Sequence, residues 1–333
     1  MRGQIVIGVL CIGTLAPKLA APEVGIAVVL RCETAGVAAE NDRTAPEPPA
    51  DLGAAPEEAS AAGPGERGRA PAEAIADARV WAPTRGNRRL EALLERASAD
   101  SELRAWWHMA QVNSERLGMS DHSWVHVQVV LNIALRLLRL LVRGGLEPAM
   151  VADHAMRHRD AEVVVAAGAL LHDVGMSIHR ADHEAFSLFL AERKLRELLD
   201  GVYEEPARAV IAAEVLHAII GHRRRGEPYT VESGVVRVAD ALDMAHGRSR
   251  IPVSSGRVGI HSISAAAIDA ITIEPGRERA VRVEIAMNNS AGIFQVDDLL
   301  ATKLRGTALE GQVEVVAMVE GEAEKRLLGE FRV

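Results

Sequence analysis

The stretch "AEVVVAAGALLHDVG", Ala161 to Gly175, narrows most what this chain can fold into. It reads as a helix that neighbours must cover, beginning near Asp160 as a plausible N-cap and stopping at Gly175. It ends on an adjacent acid and imidazole, His172 and Asp173. An unpaired carboxylate in a packed interior is costly, so such a pair either completes a structural hydrogen bond or holds a metal.

The flanking sequence supplies the covering helices. "NRRLEALLERASADSELRAWWHMAQV" repeats Leu90, Leu93, Leu94 and then Leu103, Trp106, Trp107 at helical spacing. "HVQVVLNIALRLLRLLVRGG" sets Val130, Ala134, Leu137, Leu138 and Leu141 on one stripe and stops at a glycine pair. "ADHEAFSLFLAERKLRELLDG", "EPARAVIAAEVLHAIIGH" and "VESGVVRVADALDMAHG" follow as further helices, Pro206 suiting the first turn of the second. A helical bundle over residues 87–256 is the expectation.

The period then changes. "AIDAITIEPGRERAVRVEIAMNN" alternates around a Pro-Gly turn, as a hairpin does. "AGIFQVDDLLATKLRG" is helical, and "QVEVVAMVEGEAEKRLLGEFRV" reads as two more strands. Residues 257–333 are therefore expected to form a small α+β domain, its strands pairing antiparallel with one helix on a face. The fold class is mainly α, a helical bundle followed by that domain.

Residues 1–80 read as a low-complexity, disordered extension. From about residue 33 to 75, Ala, Pro, Glu and Gly dominate, and no aromatic residue precedes Trp81. Such a segment buries too little apolar surface to offset its ordering entropy. Arg2 and the run "IVIGVLCIGTLA" loosely mimic a signal peptide, but the run is too short to span a bilayer. An early-placed start and a true export signal both fit residues 1–32. Cys11 and Cys32 form no CxxC pair, which argues against a disulfide framework or a cysteine zinc site, and the default compartment is the cytoplasm.

A net charge of −8 argues against a general nucleic-acid surface. No Walker-type phosphate loop and no GxSxG elbow occurs. Nine of the twelve histidines lie between His122 and His222. His126 opens one helix, His172 and Asp173 close another, and Asp240 sits inside the apolar run "VVRVADALDMA". Converging from three helices, these four offer two nitrogens and two oxygens with open positions, a set that suits a divalent metal still able to bind water or substrate.

The series His126, His172-Asp173, Asp240, in the contexts "HVQVVLNIA", "GALLHDVG" and "VVRVADALD", resembles the HD superfamily of metal-dependent phosphohydrolases. "HRRRGEPYTVESGVVRVADALDMAHGRSR" is similar in layout to the equivalent segment of ribonuclease Y-type HD domains and of uncharacterised prokaryotic HD proteins. The resemblance covers roughly residues 115–250. It implies one or two divalent ions (Mn, Mg, Fe, Ni or Zn) and hydrolysis of a phosphomonoester or phosphodiester by a metal-activated water.

His183, His217 and His222 are candidates for a second metal or for catalysis. His217, in an apolar helix, also suits a core histidine bonded to a carbonyl. Arg180, Arg248 and Arg250 are candidates for binding phosphate, since guanidinium groups grip it bidentately and stay charged. His179, between the His-Asp pair and the last Asp, suits either a further site residue or an exposed loop position, while Arg223 to Arg225 read as a solvated face and His122 as an outer neighbour of the ligands. The expected partner is a small, nucleotide-like phosphorylated substrate, with no membrane and no stable nucleic-acid surface; homo-oligomerisation stays open. Two other functions fit the same residues: an HD-type di-iron oxygenase, and a non-catalytic regulatory protein.

Overall fold

The computed structural model describes residues 8–10, 26–30, 70–245 and 260–319. Its main body is a helical bundle: α1 (Pro71–Ala74), α2 (Arg88–Ala99), α3 (Ser101–Leu117), α4 (Trp124–Arg143), α5 (Ala149–Ala152), α6 (His158–Leu171), α7 (His183–Leu198), α8 (Ala207–Gly221) and α9 (Val231–Leu242). Ordered chain begins before Asn87. Val80 and Ala82 pack into the core, and the Trp81 N–H donates to Gln128 Oε1 at 2.8 Å.

α6 lies at the centre, and every residue from Asp160 to Leu171 except Glu162 is buried. α4, α8 and α9 pack around it, while α2 and α3 cap one side, where the Trp107 indole N–H donates to the Leu170 carbonyl at 3.0 Å. By length and composition α4 would cross a membrane, but its stripe from Val130 to Leu141 is core of this bundle. Asp160 is not the N-cap of α6. The helix starts at His158, and Asp160, one turn in, accepts the Arg157 N–H at 2.9 Å while Arg89 and the Tyr203 hydroxyl donate to its other oxygen. A side chain with three donors within reach is satisfied deeper in the fold than a cap position allows.

The C-terminal segment contains α10 (Ile260–Ala266), the hairpin β3 (Ile268–Pro275) and β4 (Val281–Met287), a π-helical stretch (Gln295–Ala301) running into α11 (Thr302–Leu304), and β5 (Val313–Val319). β3 and β4 pair antiparallel, as the Pro-Gly turn requires, but β4 and β5 pair parallel. The all-antiparallel expectation fails because the helical stretch between them crosses over and returns the chain in the same direction. Strands at Gly8–Leu10 (β1) and Ile26–Leu30 (β2), inside the expected extension, complete the sheet order β1-β2-β5-β4-β3. The strand expected after β5, like most of residues 1–80, lies outside the described residues.

Candidate metal centre

The end of α6 is where the bundle opens. After Leu171 the chain turns through a short 3-10 segment, Val174–Ser177, that packs against α3 and α7. Gly175 is required there by close approach: a Cβ would stand 2.0 Å from the His183 carbonyl oxygen and 2.5 Å from the Ser187 nitrogen. The Gly175 N–H donates to Ser187 Oγ at 2.8 Å, which locks α7 to the turn and delivers His183 beside Asp173.

His126, His172, Asp173 and Asp240 come together as expected from sequence. His126 Nε2 stands 3.1 Å from His172 Nε2, 3.3 Å from Asp173 Oδ2 and 3.5 Å from Asp240 Oδ1. His172 Nε2 is 3.3 Å from Asp173 Oδ2 and 3.9 Å from Asp240 Oδ1. The second carboxylate oxygen of Asp173 turns the other way, 3.1 Å from His183 Nε2 and 3.6 Å from His222 Nε2. Two donor groups result, His126-His172-Asp240 and Asp173-His183-His222, each with its ligand atoms within 4.8 Å of one another. Asp173 stands between them, one oxygen on each.

The rings are oriented from behind. His126 Nδ1 is 2.6 Å from Asp243 Oδ2, His172 Nδ1 is 2.9 Å from the Ala169 carbonyl, and His222 Nδ1 is 2.6 Å from the Ile219 carbonyl. Carboxylates and carbonyls only accept, so each Nδ1 carries the proton and each neutral ring turns a lone pair on Nε2 toward the centre. Two imidazole lone pairs 3.1 Å apart, beside two carboxylates in a buried site, repel unless a cation lies between them. The donor set therefore fits a divalent ion, and the backing contacts are those that hold metal-ligating histidines.

Burial alone would raise the Asp173 carboxyl, but in the metal-free site attraction to His172 and hydrogen bonds from His126, His172 and His183, which need a proton on Nε2 where a cation would otherwise sit, outweigh it and hold the carboxyl well below the usual range. Burial pushes the His222 imidazole down. Burial also acts on His183, yet its bond to Asp173 and that acid's charge leave it raised. His183 Nδ1 has both the Arg180 carbonyl, at 3.1 Å, and Arg180 Nη1, at 2.8 Å, within reach, so its tautomer follows whichever it serves.

Residues 122–245 match the family described as HD domain. A protein of Methanocaldococcus jannaschii, "Uncharacterized protein MJ1020", is 39% identical over 207 residues, 62% of this chain and 80% of the relative. This chain belongs to the HD-domain superfamily. HD domains are generally metal-dependent phosphohydrolases, and the two His/Asp groups of this one are placed to hold metal. The search of solved structures found no match.

Other sequence candidates fall differently around the HD centre. His217 is not brought to it: Nε2 accepts the Tyr229 N–H at 2.9 Å and the ring stacks on Tyr229 at 4.8 Å, because the position faces the α8–α9 loop rather than the opening. Arg180 lines the cavity at the centre, and Arg248 and Arg250 lie outside the described residues. His122, read as an outer neighbour, has Nε2 3.9 Å from Asp173 Oδ2. Sequence reading missed Asp243 and Lys303. Asp243 was findable, three residues after Asp240 and hence on the same helical side. Lys303 was not, since nothing local ties residue 303 to residue 240.

Proposed function

We propose that this HD protein is a metal-dependent phosphohydrolase that cleaves a phosphomonoester or phosphodiester of a small, nucleotide-like substrate in the cytoplasm. The observation that carries the reading is Asp173, shared by two histidine groups in which the backing contacts of His126, His172 and His222 aim neutral nitrogens inward. His126, His172, Asp173 and Asp240 would hold one ion, and Asp173, His183 and His222 a second. A divalent cation bound there supplies Lewis acidity toward a phosphoryl oxygen and makes a water acidic enough to attack at neutral pH.

The chain's own residues do the rest. Asp243, Ala169 and Ile219 fix the ligand rings, so no reorganisation is required as charge develops. Among the described residues, five carboxylates (Asp173, Glu184, Asp240, Asp243, Asp298) line the cavity of about 490 Å³ against three cationic side chains, Arg180, Arg224 and Lys303. That imbalance repels an anionic substrate until metal is bound, which makes substrate entry conditional on a loaded site. Arg180, exposed at the rim beside His183, is positioned to meet the phosphate.

A panel of nucleotides, cyclic nucleotides and short RNA, screened with Mn, Mg, Fe or Ni, tests the reading. Metal-dependent hydrolysis that disappears in Asp173→Ala is expected; no hydrolysis of any substrate with any metal would overturn it. The shared Asp173 also favours a second reading, a di-iron oxygenase, which two irons per chain and O2 uptake would put first.

A further inference from the structure

The cavity at the metal centre has two walls of different origin. One is the HD bundle. The other is built from residues 260–303, including His261, Ser262, Gln295 and Lys303. We propose that Lys303 is a substrate-binding residue of the site, receiving phosphoryl oxygens opposite the metal-ligating face, so that the C-terminal segment is part of the active site. The inference rests on the phosphohydrolase reading for the identity of the anion.

Position comes first. Lys303 Nζ forms an ion pair with Asp240 Oδ2, while the other oxygen of the same carboxylate, Oδ1, faces His126 and His172. Among the described residues, the ammonium is the Lys or Arg group in direct ion pair with a member of the first donor group, one carboxylate away from its inward face. It approaches from the cavity and leaves the inward oxygen to the histidines. An ammonium has three donors; the hydrogen bond that Lys303 makes among the described residues uses one of them. Its side chain is 14% exposed, so the remaining donors sit in a largely desolvated pocket, where a charged hydrogen bond to phosphate is strong.

Rigidity comes second. Arg237, one turn before Asp240 on α9, is buried and holds both sides of the cleft. Its Nε donates to the Lys303 carbonyl at 2.8 Å; its Nη1 and Nη2 donate to the carbonyls of Gly221, Arg223 and Arg224, the last at 2.9 Å. One guanidinium therefore fixes the backbone of Lys303 relative to the segment that follows His222. The Gln295 amide donates to the His261 carbonyl at 2.9 Å and to Ser264 Oγ at 2.8 Å, which ties the rest of that wall together. A residue serving only to neutralise Asp240 would not require its main chain to be pinned to the metal-side loop.

The other two cations of the cavity are engaged at the rim. Arg224 pairs with Asp298 at 2.7 Å, and Arg180 lies against His183. Among the described residues, Lys303 is the cationic side chain of the cavity that pairs with Asp240.

The test uses the full chain and two probes, Mn alone and inorganic phosphate, with Lys303→Met and Lys303→Arg. Calorimetric titration of Mn is expected to give affinities within a few-fold of wild type in both variants. Phosphate binding to the Mn-loaded protein should weaken by about tenfold or more in Lys303→Met, the loss of one charged hydrogen bond, and recover in part in Lys303→Arg. With an ester found in the substrate panel, KM should rise more than kcat falls. Unchanged phosphate affinity in Lys303→Met overturns the inference, as does loss of Mn binding in a folded Lys303→Met, which would make the lysine a support for Asp240. Absence of hydrolysis by wild type would overturn the phosphohydrolase reading while leaving the phosphate titration to judge Lys303.

Discussion

Asp243 accepts the Nδ1 proton of His126 at 2.6 Å, so a carboxylate one turn beyond Asp240 sets the direction in which His126 offers its other nitrogen. Asp243→Asn keeps the shape and can still accept, but it loses the charge that raises the basicity of the ring. Metal affinity is expected to fall by about 10- to 100-fold with little change in folding. Competition titration against a chelator of known affinity measures this, and an affinity equal to wild type would remove Asp243 from the site.

Asp173 has one oxygen on each donor group, so its loss should change how many ions bind and not only how tightly. Asp173→Asn is expected to lower the bound metal below the wild-type stoichiometry, and His222→Ala to remove the ion of the second group while sparing that of the first. Elemental analysis of protein loaded with Mn and then desalted reads both. Equal loss from the two variants would mean that the groups hold a single ion.

Gly175→Ala would place a methyl group 2.0 Å from the His183 carbonyl oxygen, a backbone atom that cannot rotate away. The segment between α6 and α7 must then shift, at a cost of about 1–3 kcal/mol or more. Urea denaturation should show that loss. Metal binding at the His183-His222 group should weaken with it, because the same shift moves His183.

Glu232 is buried on α9 and accepts the N–H groups of Met150 and Ala149 at 3.0 and 3.1 Å. Burial raises its pKa above the usual 4.5, helped by nearby Glu214, and the backbone donors only partly offset this. A group raised in the folded state stabilises most below its unfolded value and loses that contribution as pH rises through the folded one. The stability difference between wild type and Glu232→Gln should therefore shrink as pH climbs from about 4.5 and then level off. A difference that is flat or grows with pH would show that the carboxylate is not destabilised by burial. Urea midpoints across that range decide.

Residues near one another in sequence carry most of what the sequence alone determines. The stripe Val130 to Leu141, the nearly all-buried run of α6 from Asp160 to Leu171 and the polar pair at its end follow from helical period and from the cost of leaving an ionisable group unpaired in a core. His126, His172-Asp173 and Asp240 were legible for the same reason: each interrupts an apolar run. His217 interrupts one too, yet it faces the α8–α9 loop, since period gives a face and not the neighbour opposite it. The turn-encoded hairpin β3–β4 was also readable, whereas the parallel pairing of β4 with β5 depends on a crossover whose return direction no local pattern states. Lys303 belongs wholly to tertiary structure. It is 63 residues from Asp240 in the chain, and only the packing of the C-terminal segment on α9, anchored by Arg237, brings its charge onto that carboxylate. Local sequence determined which residues could ligate; long-range packing decided which of them meet and what closes over them.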